Sequence, residues 1–190
     1  MLPMKALLSK FFRTGQSQRR ARAEALYAAI AAQARQPQAY RDHGVPDTLD
    51  GRFDSLCLHV FLVIRRLGRE GPEETELARD IYDVLFADMD RALREMGVGD
   101  LGIARRVQQM AEALNGRIKA YGTALDAGDS APELLASALR RNLYGTVDQP
   151  APASIAAVAR HVMDCDAALA GQTAVDLLKN GPAFAAWERR

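Results

Sequence analysis

Apolar and polar positions alternate along this chain with helical spacing almost from end to end. The exception is Leu56–Ile64, a run of apolar residues in which His59 is the one polar member. No face of that run suits water, so other elements must cover it on all sides. Thr48 and Asp50 are helix-start residues, Asp54 adds acid early, and Arg65 and Arg66 place positive charge at the end. These flanks predict a central helix over Leu49–Leu67, too short in apolar residues to span a bilayer. On either side, Leu26 and Ile30 mark a helix over Ala21–Arg35. Leu77, Ile81, Leu85, Met89, Ala92 and Met96 mark another, beginning at Pro72 behind Glu73, Glu74 and Glu76. Tyr82 and Phe86 form a second apolar row on it. Ile103, Val107, Met110, Leu114, Ile118, Tyr121 and Leu125 define a long helix. The glycine-rich turn Gly97–Gly102 predicts an antiparallel hairpin between these two helices. Ser130 and Glu133 have capping-box spacing before a helix that ends at Gly145. A last helix over Ser154–Ala170 is extended by Val175, Leu177 and Leu178, and Gly181-Pro182 stops it before a tail holding Phe184 and Trp187.

β-branched residues are few and hairpin dipeptides such as Asn-Gly are absent, so the pattern predicts an all-α fold, a single globular multi-helix domain around the central helix. We expect three regions: an amphipathic basic arm over 1–20, a helical domain over 21–180 and a tail over 181–190. In the arm, Leu7, Leu8, Phe11 and Phe12 share a side while Lys5, Lys10 and Arg13 supply charge. An apolar face with clustered base suits an anionic membrane surface, and packing on the domain itself or a frayed arm is the alternative.

Charge adds a constraint. The chain carries 25 basic and 24 acidic residues over 190, so it has no overall electrostatic footprint for nucleic acid. Cys57 and Cys165 lie far apart in helical patterns and read as reduced, buried thiols. His43, His59 and His161 have no ligand-spaced partner, and His59 reads as a neutral core histidine. Gly97-x-Gly-x-x-Gly102 matches the dinucleotide fingerprint as a string, but a helix precedes it and no acid follows at the ribose-binding distance. The acids Asp80, Asp83, Asp88 and Asp90 lack the histidines of a helical di-metal site. No nucleophile, base and oxyanion donor come together. The expectation is a non-enzymatic binding protein without cofactor or metal.

The motifs add a family. Gly44-Val-Pro-Asp-Thr48, Asp50-Gly-Arg-Phe-Asp54, Leu58-His-Val-Phe-Leu-Val63, the block from Tyr82 and Phe86 through Gly102, Met110-Ala-Glu-Ala113 and Gly116-Arg117 resemble the ubiquinol–cytochrome c chaperone family. The resemblance covers about residues 40–143. It implies a chaperone for cytochrome b, the membrane subunit of respiratory complex III, with the ribosome and a second assembly factor as further partners. Lys5 and Lys10 interrupt the apolar N-terminus so that it does not read as a signal peptide, and with the basic arm the expectation is a place in the cytoplasm, peripheral on the cytoplasmic face of the inner membrane. The expected client site lies where the central helix meets the Tyr82–Gly102 segment, at Asp50, Arg52, Phe53, Asp54, Tyr82, Phe86, Asp88, Met89, Met96, Val98 and Asp100. Its methionines offer adaptable contacts for varied apolar segments. The other function considered is a helical protein on the membrane surface with a different apolar client or a lipid, served by Leu7, Leu8, Phe11, Phe12, Lys5, Lys10 and Arg13.

Overall fold

A computed structural model describes the backbone of residues 4–187 and the side chains of residues 15–187. Among the described residues there are eight α-helices, one 3-10 turn and no strand. The helices are α1 (Met4–Ala34), α2 (Pro37–Arg41), α3 (Leu49–Leu67), α4 (Pro72–Glu95), α5 (Asp100–Leu125), α6 (Ala131–Asn142), α7 (Pro152–Ala170) and α8 (Ala174–Asn180). No helix among the described residues is long and apolar enough to cross a membrane.

The central helix is α3. Every residue from Asp54 to Val63 is buried. Thr48 caps it, its side chain accepting a bond from the Gly51 N–H. Gly51 is required by close approach: a Cβ there would stand 2.1 Å from the Pro46 carbonyl oxygen. In α3, the Nδ1–H of His59 donates to the Ser55 carbonyl at 2.8 Å, because a carbonyl can only accept. Burial holds this imidazole neutral and pushes its pKa down to about 4, while the Ser55 bond opposes the shift.

Four elements pack around α3: α1, α4, α5 and α7. On α1, buried Ala23, Leu26, Tyr27, Ile30, Ala31 and Ala34 recur at spacings of three and one, which is one helical face. Helix α1 has no break near residue 20, so the expected arm and the first domain helix are one continuous helix. The apolar and basic residues expected to meet a membrane, Leu7, Leu8, Phe11, Phe12, Lys5, Lys10 and Arg13, have side chains outside the described residues.

The α4–α5 hairpin forms as its spacing requires. At the end of α4, Gly97 has φ +79, the Gly97 N–H bonds the Arg94 carbonyl and the Val98 N–H bonds the Leu93 carbonyl. This is a Schellman cap, in which only glycine takes the left-handed position without strain. The capping box expected at Ser130 does not form: Ser130 belongs to the 3-10 turn over 128–130 and makes no side-chain cap bond. A reciprocal box occurs instead at Thr173 and Asp176, where it starts α8.

The chain after α8 returns to the core. Phe184 meets His59 edge-on at 5.4 Å, and Trp187 stacks on His161 at 3.5 Å and on His43 at 4.9 Å. Cys57 and Cys165 are free and buried, and burial pushes the Cys57 thiol up to about 12. Among the described residues no group of three His, Cys, Asp or Glu is placed to hold a metal.

Candidate functional site

The N-terminal end of α3, the C-terminal ends of α1 and α4, one face of α5 and the end of α6 enclose an open groove of about 880 Å³. Phe53 and Leu56 of α3, Met89 and Leu93 of α4, Met96 just after α4 and Met110 of α5 supply its apolar lining. Three of the methionines of the chain therefore meet in one place. Leu49 at the mouth is 62% exposed and Met96 is 51% exposed, which is unusual for residues of their size beside so much apolar lining. A second depression between α1, α4 and α8 has a similar volume. Its rim is Arg19, Arg22, Glu73, Glu74 and Glu76, and it holds neither a methionine nor an aromatic ring.

Seven of the eleven residues expected at a client site line the groove: Asp50, Arg52, Phe53, Asp54, Asp88, Met89 and Met96. The other four lie elsewhere. Tyr82 and Phe86 pack on each other at 4.7 Å and against the core, and the Tyr82 hydroxyl donates to Asn115 Oδ1 at 3.3 Å. The Tyr82 bond joins α4 to α5, and Phe86 packs on Tyr82. Val98 is the residue after the glycine of the Schellman cap. Asp100 pairs with Arg94 at 2.7 Å, and Arg94 also binds Asp90, so these charges lock the hairpin turn.

The groove's polar residues differ in what they hold. Asp54 is 8% exposed and pairs with Arg117, joining α3 to α5. Burial pushes the Asp54 carboxyl up to about 6, although the Arg117 charge and hydrogen bond act against that shift and Asp50 adds to it. Arg117 Nε is enclosed without an acceptor. Asp88 accepts a bond from the Tyr27 hydroxyl at 2.7 Å and pairs with Arg91, so it ties α4 to α1. Arg52 pairs with Asp47 outside the groove, at 2.6 Å. These bonds make the walls a fixed frame.

Sequence reasoning missed Arg35, Arg106, Met110 and Arg141 as groove residues. Met110 belongs to the apolar stripe of α5 and is half-buried, because the groove replaces a covering helix there. Arg141 reaches the site only through the packing of α6 on α5, which no local pattern reveals.

The comparisons with known proteins decide the family. The model of the ubiquinol–cytochrome c chaperone family matches residues 41–185. The chain belongs to that family. A solved structure, that of the Cbp3 homolog from Brucella abortus, shares the fold with a TM-score of 0.80 and 34% identity, covering 94% of this chain and 97% of that one. The ubiquinol-cytochrome-c reductase complex assembly factor 1 of Xenopus laevis is 28% identical over 99 residues, which is 52% of this chain. The chain spans about half the length (48%) of that curated relative. The matched region of the family model includes α3, α4, α5 and α6, and with them most of the groove lining.

Proposed function

We propose that this protein is a non-enzymatic chaperone for the assembly of ubiquinol–cytochrome c reductase, and that it shields an apolar segment of unassembled cytochrome b in the methionine-lined groove. The family and the name of the Xenopus relative support the assembly role. The single observation that supports the groove as the client site is the convergence of Met89, Met96 and Met110 with exposed Leu49 in one open cleft. Methionine is unbranched and polarizable, so such a surface fits apolar helices of different shape without repacking a rigid core. The ribosome and a second assembly factor are further partners in this reading.

The test replaces Met89 and Met110 singly by Asp. Both are half-buried, so melting curves must first show that the fold survives. Recovery of cytochrome b with the tagged chaperone, and assembled complex III, are then expected to fall together. Folded variants that recover cytochrome b at the normal level would place the client site elsewhere.

A second reading is peripheral contact with an anionic membrane through the first turns of α1. The observation in its favour is that α1 is helical from Met4, so its apolar and basic residues sit on one helix continuous with the domain. Flotation of the protein with anionic vesicles should then be lost when residues 1–13 are deleted, and unchanged flotation would end this reading.

A further inference from the structure

The charges of the groove are sorted by wall. All four acids of its lining, Asp50, Asp54, Asp88 and Glu95, come from α3 and α4. The α5 and α6 wall contributes Arg106, Arg117 and Arg141 and no acid. Asp54 neutralises Arg117 across the groove, and Arg91 and Arg52 are likewise paired. Arg106 and Arg141 are left without a carboxylate within 4 Å among the described residues, and the Arg141 Nη1–H reaches only the Ser137 hydroxyl. Arg35, at the end of α1, is a third lining cation of this kind.

From this asymmetry we infer that the occupant of the groove is an apolar helical segment that carries carboxylates on the side or end meeting Arg106 and Arg141. The inference rests on the groove being the client site and adds the charge chemistry of the client. Two facts support it. Arginine recognises a carboxylate through two parallel N–H donors, so unpaired arginines beside an apolar floor select acidic over neutral partners. The acids of α3 and α4 that no arginine pairs among the described residues, Asp50 and Glu95, would in turn repel the same carboxylates, so the sorting sets the orientation of the segment as well as its composition.

The experiment uses the full chain and fluorescent peptides of about 20 residues, the length of a membrane span. Each peptide has the same leucine–alanine body and carries two Glu, two Gln or two Lys near one end. The Glu peptide should bind about three- to tenfold more tightly than the Gln peptide, and the Lys peptide more weakly than either. The Glu advantage should shrink as salt is raised through the screening range. It should also disappear in the Arg106→Gln/Arg141→Gln variant, whose substituted residues are exposed. Equal affinity for Glu and Gln peptides would overturn the charge assignment and leave the apolar groove standing. Failure of every peptide to bind would overturn the groove reading, and the charge assignment with it. Should the double variant fail to fold, the salt dependence of the Glu–Gln difference in the unaltered protein decides: a difference that does not change with salt overturns the assignment.

Discussion

Replacing Arg117 by Met should destabilise the protein by an amount that depends on pH, and the structure sets the size of the effect. Arg117 pairs with buried Asp54, and Met keeps much of the aliphatic volume while removing the charge. In the unaltered protein Asp54 ionises with a pKa of about 6, against an ordinary value of 3.8. A raised acid makes its full contribution to stability below the unfolded pKa, and that contribution is lost as pH rises through the folded pKa. In the variant the carboxyl has no cation, so it stays protonated well above pH 6. The extra cost at pH 8 is then at most about 2.7 kcal/mol, from 2 pH units above pH 6 at about 1.36 kcal/mol each. At pH 5 both proteins hold Asp54 mainly protonated and this term vanishes. A lost hydrogen bond adds about 1 kcal/mol at either pH.

The expected loss is therefore about 3–4 kcal/mol at pH 8 and about 1 kcal/mol at pH 5, in keeping with breaking a buried ion pair from one side. Urea unfolding followed by circular dichroism at the two pH values measures it. Adding Asp54→Leu to Arg117→Met should recover much of the loss at pH 8, since no buried charge then remains. Equal losses at pH 5 and pH 8, or a loss under about half a kcal/mol at pH 8, would refute a buried, Arg-compensated carboxylate.

Two further outcomes follow from the packing. Gly51→Ala should lower stability even though alanine gains about 1 kcal/mol over glycine inside a helix, because its Cβ would stand 2.1 Å from the Pro46 carbonyl; a raised melting temperature would refute that close approach. Trp187→Ala should raise the titration midpoint of His161, which burial pushes down to about 3 with His59 and His43 adding repulsion, and an unchanged histidine NMR titration would show that the tail does not cover it. His59 works opposite to Asp54. Its folded pKa of about 4 lies below the ordinary 6.5, so its contribution is complete above pH 6.5 and is lost as pH falls towards 4. Comparing each variant with the unaltered protein at matched pH separates the two.

The helices were legible where periodicity was long and punctuated by residues with a backbone reason. Thr48 and the charges of Arg65 and Arg66 place α3 at its observed ends, and Pro72 and Gly97 bound α4 as expected. The start of α1 was not legible. The expected arm is set apart by its apolar and basic residues, yet no proline interrupts the segment and the one glycine in it costs a helix only about 1 kcal/mol. The capping box was misplaced for a related reason. Ser130 and Glu133 have the right spacing, but the 3-10 turn ending at Ser130 leaves its backbone in helical rather than extended conformation, so its hydroxyl does not reach the N–H groups.

The groove was half legible. Residues near the start of α3 and along α4 could be grouped because they sit on helices joined by one short connection. Periodicity says which face of a helix is apolar, but not what lies opposite. Tyr82 and Phe86 therefore looked like free apolar surface and are partly buried against the core, whereas Met110 looked like core and lines the groove.

In the proposed role the groove must satisfy two demands that oppose each other in a single surface: it must stay open without a client, and it must adapt when a client arrives. Here the demands fall to different residues. The groove would close if α1, α4 and α5 could slide inward over its apolar floor, and burial of Leu49 and Met96 would favour that. Asp88 to Tyr27, Asp54 to Arg117 and Arg94 to Asp100 link α1, α3, α4 and α5. Each bond has one partner on a neighbouring helix or across the hairpin turn, so inward sliding must break charge-assisted contacts before it gains apolar burial. Adaptation is left to Met89, Met96 and Met110, whose flexible side chains change shape without moving the backbone. On the proposed reading, substitutions at Asp54, Asp88 or Arg117 should act on the opening of the groove, and those at the methionines, Arg106 and Arg141 on what enters it.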